Sequence, residues 1–133
     1  MIDIIEVKPG IWVLEEDGQN VLLKDCQQFE IGKQERKTLF QSLEFLAKAL
    51  QEGRSYAPLI EQCLLKKLQR QKEALELNLW EVRAEGRGER IIFAMREPNL
   101  IIVAAVHKSK GGMSQAVNRG VKRWKRFLKG KEK

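Results

Sequence analysis

The sequence predicts an α+β fold in which a small antiparallel sheet packs against N-terminal helices and carries a basic C-terminal helix. Three observations support this: a helical apolar period over residues 39–50, three apolar runs divided by turn residues between 77 and 107, and a basic amphipathic segment after Gly111-Gly112. With 133 residues, 43% hydrophobic and 32% charged, the chain has the size and composition of one globular domain spanning 1–133.

Taken in order, the elements rest on local signals. Residues 2–7, 11–14 and 21–23 are short apolar runs separated by Pro9-Gly10 and Asp17-Gly18, so residues 1–31 read as an extended segment of two or three strands. Leu39, Phe40, Leu43, Leu46, Ala47 and Leu50 recur at helical spacing, and Gly53 is placed as the stop. Pro58 suits the first turn of a second helix, with Leu59, Ile60, Cys63, Leu64, Leu68 and Leu75 inward and Lys66, Lys67, Arg70 and Lys72 on its wet face. From Leu77 the pattern becomes strand. Residues 77–83, 90–95 and 100–107 are joined by Glu85-Gly86-Arg87-Gly88 and Glu97-Pro98-Asn99, which predicts an antiparallel meander. The run Leu-Ile-Ile-Val-Ala-Ala-Val at 100–106 implies cover on both faces and a central place in the sheet. Ser114 is positioned to cap a final helix with Val117, Gly120, Val121, Trp124 and Leu128 inward. Asn118, Arg119, Lys122, Arg123, Lys125, Arg126 and Lys129 then face outward, and residues 129–133 form a fraying basic tail.

Charge is distributed unevenly. Of the chain's 25 Lys/Arg and 18 Asp/Glu, residues 107–133 hold ten and one, leaving fifteen and seventeen for residues 1–106. The two parts therefore stand at +9 and −2. Such segregation is the footprint of a polyanion partner, with an anionic membrane surface or an acidic protein as competitors. No apolar run reaches the ~20 residues that span a bilayer, and an acidic start (Asp3, Glu6) is unlike a secretion signal, so a cytoplasmic protein without a membrane partner is expected. Cys26 and Cys63 lack a paired spacing and read as small buried hydrophobes. With one histidine and no cysteine cluster, the ligands of a zinc site are missing, and neither a metal nor an organic cofactor is expected.

The stretch Leu79-Trp80-Glu81-Val82-Arg83, then Arg90-Ile91-Ile92-Phe93, then Ile101 to Val106 followed by His107-Lys108 and Lys110, then the basic segment 114–128, resembles the core of the RelE/ParE/HigB superfamily of bacterial toxins, in particular its phage-derived, HigB-like branch. The likeness covers roughly residues 75–128. It implies a RelE-like fold and the toxin component of a type II toxin–antitoxin system. Such a toxin is a small endoribonuclease (an mRNA interferase) that cuts mRNA, often on the ribosome, and is restrained by a cognate antitoxin protein.

RNA cleavage by its own 2′-hydroxyl needs a proton acceptor, a proton donor and cations that stabilise the phosphorane. Arg83, Arg90, His107, Lys108 and Lys110 are the expected catalytic groups. Arginine and lysine answer the developing charge, and imidazole has the proton affinity for either transfer. Lys108, Lys110, Arg119, Lys122, Arg123 and Arg126 are the expected nucleic-acid-binding set. Against these roles, arginines flanking a turn are ordinary surface residues, and a lone histidine at a strand end commonly makes only local hydrogen bonds. Trp80 and Trp124 could stack on bases, although their apolar neighbours place them in a core. Two other functions stay open: a non-catalytic nucleic-acid-binding phage or mobile-element protein of the same fold, because this chain's only tyrosine and histidine are Tyr56 and His107 and neither is C-terminal, and a ParE-like inhibitor of a protein target.

Overall fold

The computed structural model describes residues 1–84 and 86–131. Its elements are β1 (Ile2–Lys8), β2 (Ile11–Glu16), β3 (Gln19–Asn20), α1 (Val21–Gln28), α2 (Lys33–Glu52), α3 (Ala57–Glu61), β4 (Leu65–Lys67), α4 (Lys72–Glu76), β5 (Leu79–Arg83), β6 (Glu89–Arg96), β7 (Asn99–His107) and α5 (Met113–Lys131). Seven strands form one sheet in the order β1-β2-β7-β6-β5-β4, with β3 paired to β2.

The meander of β5, β6 and β7 follows the turn signals, and its register sets Arg83 opposite Arg90 and Glu89 opposite His107. Glu85, part of the first turn, lies outside the described residues. The N-terminal segment joins the sheet. β1 and β2 pair as an antiparallel hairpin across Pro9-Gly10, and residues 11–13 of β2 then run parallel to residues 100–102 of β7. The sheet is therefore mixed and larger than the small antiparallel one expected. With β6 on one side, β7 offers unpaired backbone groups on the other, and the Leu100 N–H donates to the Gly10 carbonyl at 2.9 Å.

Two local expectations fail for physical reasons. Residues 21–23, read as strand, open α1, because the Asn20 side chain accepts a hydrogen bond from the Leu23 N–H at 3.1 Å and caps a helix there. The long helix expected after Pro58 ends at Glu61. Cys63 adopts a left-handed conformation, φ 59°, and β4 then pairs with β5 so that Leu65 is buried against it. A continuous helix would leave that edge of β5 unpaired. Ile60, Cys63 and Leu75, assigned inward, are exposed, whereas Cys26 is buried.

Helix α2 follows its periodicity, ending at Gly53 in the left-handed conformation (φ 65°) with the Arg54 N–H donating to the Ala49 carbonyl at 2.8 Å. It covers one face of the sheet with Leu39, Leu43 and Leu46, all fully buried, each worth about 1.5–3 kcal/mol of burial. Helix α5 covers the other face through Ala116, Val117, Gly120, Val121 and Trp124. It starts one residue before Ser114, the Ala116 N–H donating to the Gly112 carbonyl, so Ser114 lies in the first turn and is no cap. Helical structure continues to Lys131, so fraying at 129–131 is not seen, and residues 132–133 lie outside the described residues. Buried between these two layers, every residue from Leu100 to Val106 is inaccessible, as its unbroken apolar run requires.

At Gly120 α5 lies close against the sheet: a Cβ there would stand 2.8 Å from Val103 Cγ2. Gly120→Ala is expected to destabilise by about 1–3 kcal/mol through overpacking, outweighing the ~1 kcal/mol gain in helix propensity. Thermal melting measures this, and an unchanged or raised Tm would contradict the packing described.

Candidate functional site

Across an antiparallel pair, directly opposed residues project to the same side, and so do residues two apart on one strand. Lys66 opposes Glu81 and Arg83 opposes Arg90, so these four occupy the face that α5 covers. α5 does not reach the end of that face. Between its first turn, the end of β5 and the segment linking β4 to α4 lies a hollow of about 240 Å³. Lys66, Lys67, Arg70, Arg83 and Lys108 are its basic lining, Leu68, Ala74, Met113 and Val117 its apolar wall, and Glu81 its carboxylate. Its far side is braced where the Gln71 amide donates to the Ser114 carbonyl and where Lys125 of α5 pairs with Glu73 of α4.

Two properties separate this hollow from an ordinary wet surface. Among the described residues none of these five cations forms an ion pair, so their charge is available to a ligand. Arg83 also donates from Nε to the Cys63 carbonyl at 2.6 Å, which fixes its stem and leaves its terminal nitrogens free of described partners. Secondly, Glu81 is only 6% exposed, and among the side-chain hydrogen bonds of the described residues none reaches its carboxylate. The first turn of α5, with Met113 and Ser114 on the rim, adds the partial positive charge of a helix N-terminus.

The expected catalytic residues divide. Arg83 and Lys108 line the hollow. Arg90 is buried behind it, donating from Nη1 to the carbonyls of Arg87 (2.6 Å) and Glu89 (3.0 Å). Burial lowers its guanidinium from the usual value, the charge of Glu81 opposes that shift and the charge of Arg83 adds to it. His107 faces the α2 side. Its Nδ1 accepts from the Ser109 N–H at 3.3 Å and lies 2.8 Å from Ser109 Oγ, while Nε2 stands 3.7 Å from Glu89 Oε1. Burial would raise the Glu89 carboxyl, but hydrogen bonds from Arg87 and backbone, with the charges of Arg87 and His107, outweigh it and hold Glu89 below its ordinary value. Lys110 pairs with Glu30. The extended geometry that would aim Lys108 and Lys110 together is absent, because the Lys110 and Gly111 N–H groups both return to the His107 carbonyl in a turn.

The helix cations are mostly engaged within the fold. Arg123, expected on the outer face, is 5% exposed and donates from Nη1 and Nη2 to the two Asp25 oxygens at 2.9 and 3.0 Å. Arg119 reaches the same carboxylate at 3.4 Å and the Ala105 carbonyl at 3.0 Å. Arg126 pairs with Glu16 at 2.7 Å, and Lys122 is exposed without an ion pair among the described residues, away from the hollow. Trp80 donates to Asn78 and meets Tyr56 edge-on, and Trp124 is buried under α5, so both serve the core.

Sequence reasoning missed Lys66, Arg70 and Glu81. The first two belong to a run, Lys66 to Lys72, with four bases and no acid; the third is an acid inside the otherwise apolar Leu79-Trp80-Glu81-Val82. Lys67, which also lines the hollow, carries its ammonium over the Trp80 ring, 6.0 Å from its centre.

Fold and site together define an α+β domain with a mixed sheet and a cation-rimmed hollow at the open end of its α5 face. Compared with family models, with curated proteins and with solved structures, the chain finds no match. Among the described residues no helix is long and apolar enough to cross a membrane.

Proposed function

We propose that this protein is the toxin component of a type II toxin–antitoxin system, an endoribonuclease that takes single-stranded mRNA across the basic hollow. The observation carrying this reading is the convergence of Lys66, Arg70, Arg83 and Lys108, unpaired and from separate parts of the chain, on one concave site beside a helix N-terminus. Phosphates of a flexible strand fit such a site, and a fork of guanidinium donors matches a phosphorane that gains negative charge as the 2′-oxygen attacks. In that reaction the 2′-hydroxyl passes its proton to solvent water as its oxygen bonds to phosphorus, the bond to the 5′-oxygen breaks, and a proton reaches the departing oxygen. Arg83 stabilises the charge and Lys108 donates the proton. As the resemblance implies, the ribosome would present the mRNA and a cognate antitoxin would block the site.

A second reading, RNA binding without cleavage, draws support from His107, whose ring is turned to Glu89 and away from the hollow. Incubation of the purified protein with synthetic single-stranded RNA, both free and presented on ribosomes, separates the two. Fragments ending in 2′,3′-cyclic phosphate are expected. Intact RNA that remains bound would leave the second reading, and RNA that neither binds nor breaks would overturn both.

A further inference from the structure

We infer that the hollow is a nucleobase pocket that selects guanine through Glu81, an assignment that rests on the RNA reading above. The hollow's composition is wrong for a phosphate alone. An anion gains nothing from Leu68, Ala74, Met113 and Val117, and a carboxylate repels it. A nucleotide fits every part: a flat apolar body against the wall, hydrogen-bond donors toward the carboxylate, and a phosphate among the cations. The volume of about 240 Å³ lies below the ~300 Å³ where drug-sized sites begin, so it admits one base and not a stack of them.

Guanine is singled out by the chemistry of an ionised carboxylate, which accepts hydrogen bonds and donates none. On its Watson–Crick edge guanine carries two adjacent donors, N1–H and the 2-amino group, spaced to meet two carboxylate oxygens in parallel. Adenine and cytosine each set one amino donor beside a ring nitrogen lone pair, and uracil sets its single N–H between two carbonyl oxygens. Each of those three turns at least one lone pair toward Glu81. Because Glu81 is 6% exposed and has no described hydrogen-bond partner, the wrong base leaves a buried acceptor unsatisfied, the situation that gives the largest discrimination.

Its depth also separates this role from that of a proton acceptor. Lys66, Arg70 and Lys108 are exposed at the rim whereas Glu81 is buried. A group drawing the proton from a 2′-hydroxyl must stand level with the scissile phosphate, which the rim cations hold. The base reaches further in.

The test is equilibrium binding of labelled tetranucleotides, three uridines and one variable base, to the native protein and to Glu81→Gln. Guanine in the variable position is expected to tighten native binding by roughly ten- to a hundredfold over adenine, cytosine or uracil. Inosine, which lacks the 2-amino group, should lose much of that gain, a result independent of how the variant folds. In Glu81→Gln, whose amide turns a donor toward the base, the preference should collapse, because guanine loses affinity while the uridine tetranucleotide loses none. Binding of RNA with no base preference by the native protein would overturn this inference and leave the RNA reading standing. A Glu81→Gln protein that keeps its guanine preference but cuts no RNA would also overturn it, by making Glu81 the proton acceptor. Failure of every RNA to bind would remove both proposals.

Discussion

Asp25→Ala is expected to cost about 3–5 kcal/mol of folding stability, the penalty for leaving a buried charge without its partner. Asp25 is fully buried on α1, and its carboxylate receives Arg123 at 2.9 and 3.0 Å, Arg119 at 3.4 Å and the Ala105 N–H at 2.9 Å. The reason lies in the sheet. β2 accompanies β7 only over residues 100–102, so the following residues of β7 have no strand on that side. Their backbone groups are met by side chains instead: Ala105 N–H by Asp25, the Val103 carbonyl by Arg123 at 3.0 Å and the Ala105 carbonyl by Arg119 at 3.0 Å. α1, α5 and the central strand therefore share one network of charge-assisted hydrogen bonds. Since a domain of this size has about 5–15 kcal/mol in total, the variant should unfold at a much lower urea midpoint or fail to fold at physiological temperature. Asp25→Leu combined with Arg123→Met should be less damaging than Asp25→Ala alone, because the buried Arg123 charge goes with its partner and the remaining Arg119 is partly exposed and reaches water. A urea midpoint for Asp25→Ala within experimental error of the native one would show that Arg123 escapes to water and that the network does not hold the helices.

The same network explains how much of the molecule its sequence discloses. α2 and the β5-β6-β7 meander are governed by local patterns, a 3.6-residue period with a glycine stop and apolar runs divided by turn residues, and both were legible. Residues 57–76 were not, because their leucines fit a helix as well as any alternative and the choice was made by the unpaired edge of β5, which is distant in sequence. Asn20 shows a smaller version: one capping side chain outweighs three apolar residues that suit a strand. Within the site, Arg83 and Lys108 were legible as basic residues at strand ends. Lys66 and Arg70 were hidden by the helix assigned to them, and the 94 and 98 residues separating Asp25 from Arg119 and Arg123 hid the fate of the helix arginines. Charge segregated along the chain is thus not segregated in space. Glu16, Asp25, Glu30 and Glu73 from the acidic part meet cations of the basic tail, and the usable positive field moves to a few residues of which the tail owns only Lys108.

That relocation gives the second large effect. Lys66→Ala, Arg83→Ala and Lys108→Ala together should weaken single-stranded RNA binding on the order of a hundredfold near 0.1 M salt, and flatten the plot of log affinity against log salt by about two units, since each lost phosphate contact removes ~0.7 from the slope for single strands. Lys110→Ala, Lys122→Ala and Arg126→Ala together remove the same formal charge from the part of the sequence that holds most of it. Lys110 and Arg126 are tied to Glu30 and Glu16, and Lys122 stands apart from the hollow, so this second triple should change the slope by less than half a unit. A salt titration of the three proteins decides between a built site and a diffuse basic coat. Equal losses in the two triples would mean that RNA reads only net charge, and the hollow would then have no special claim on it. A loss confined to the first would locate the polyanion over β5 and the first turn of α5, where the fold has left its cations without acids of their own.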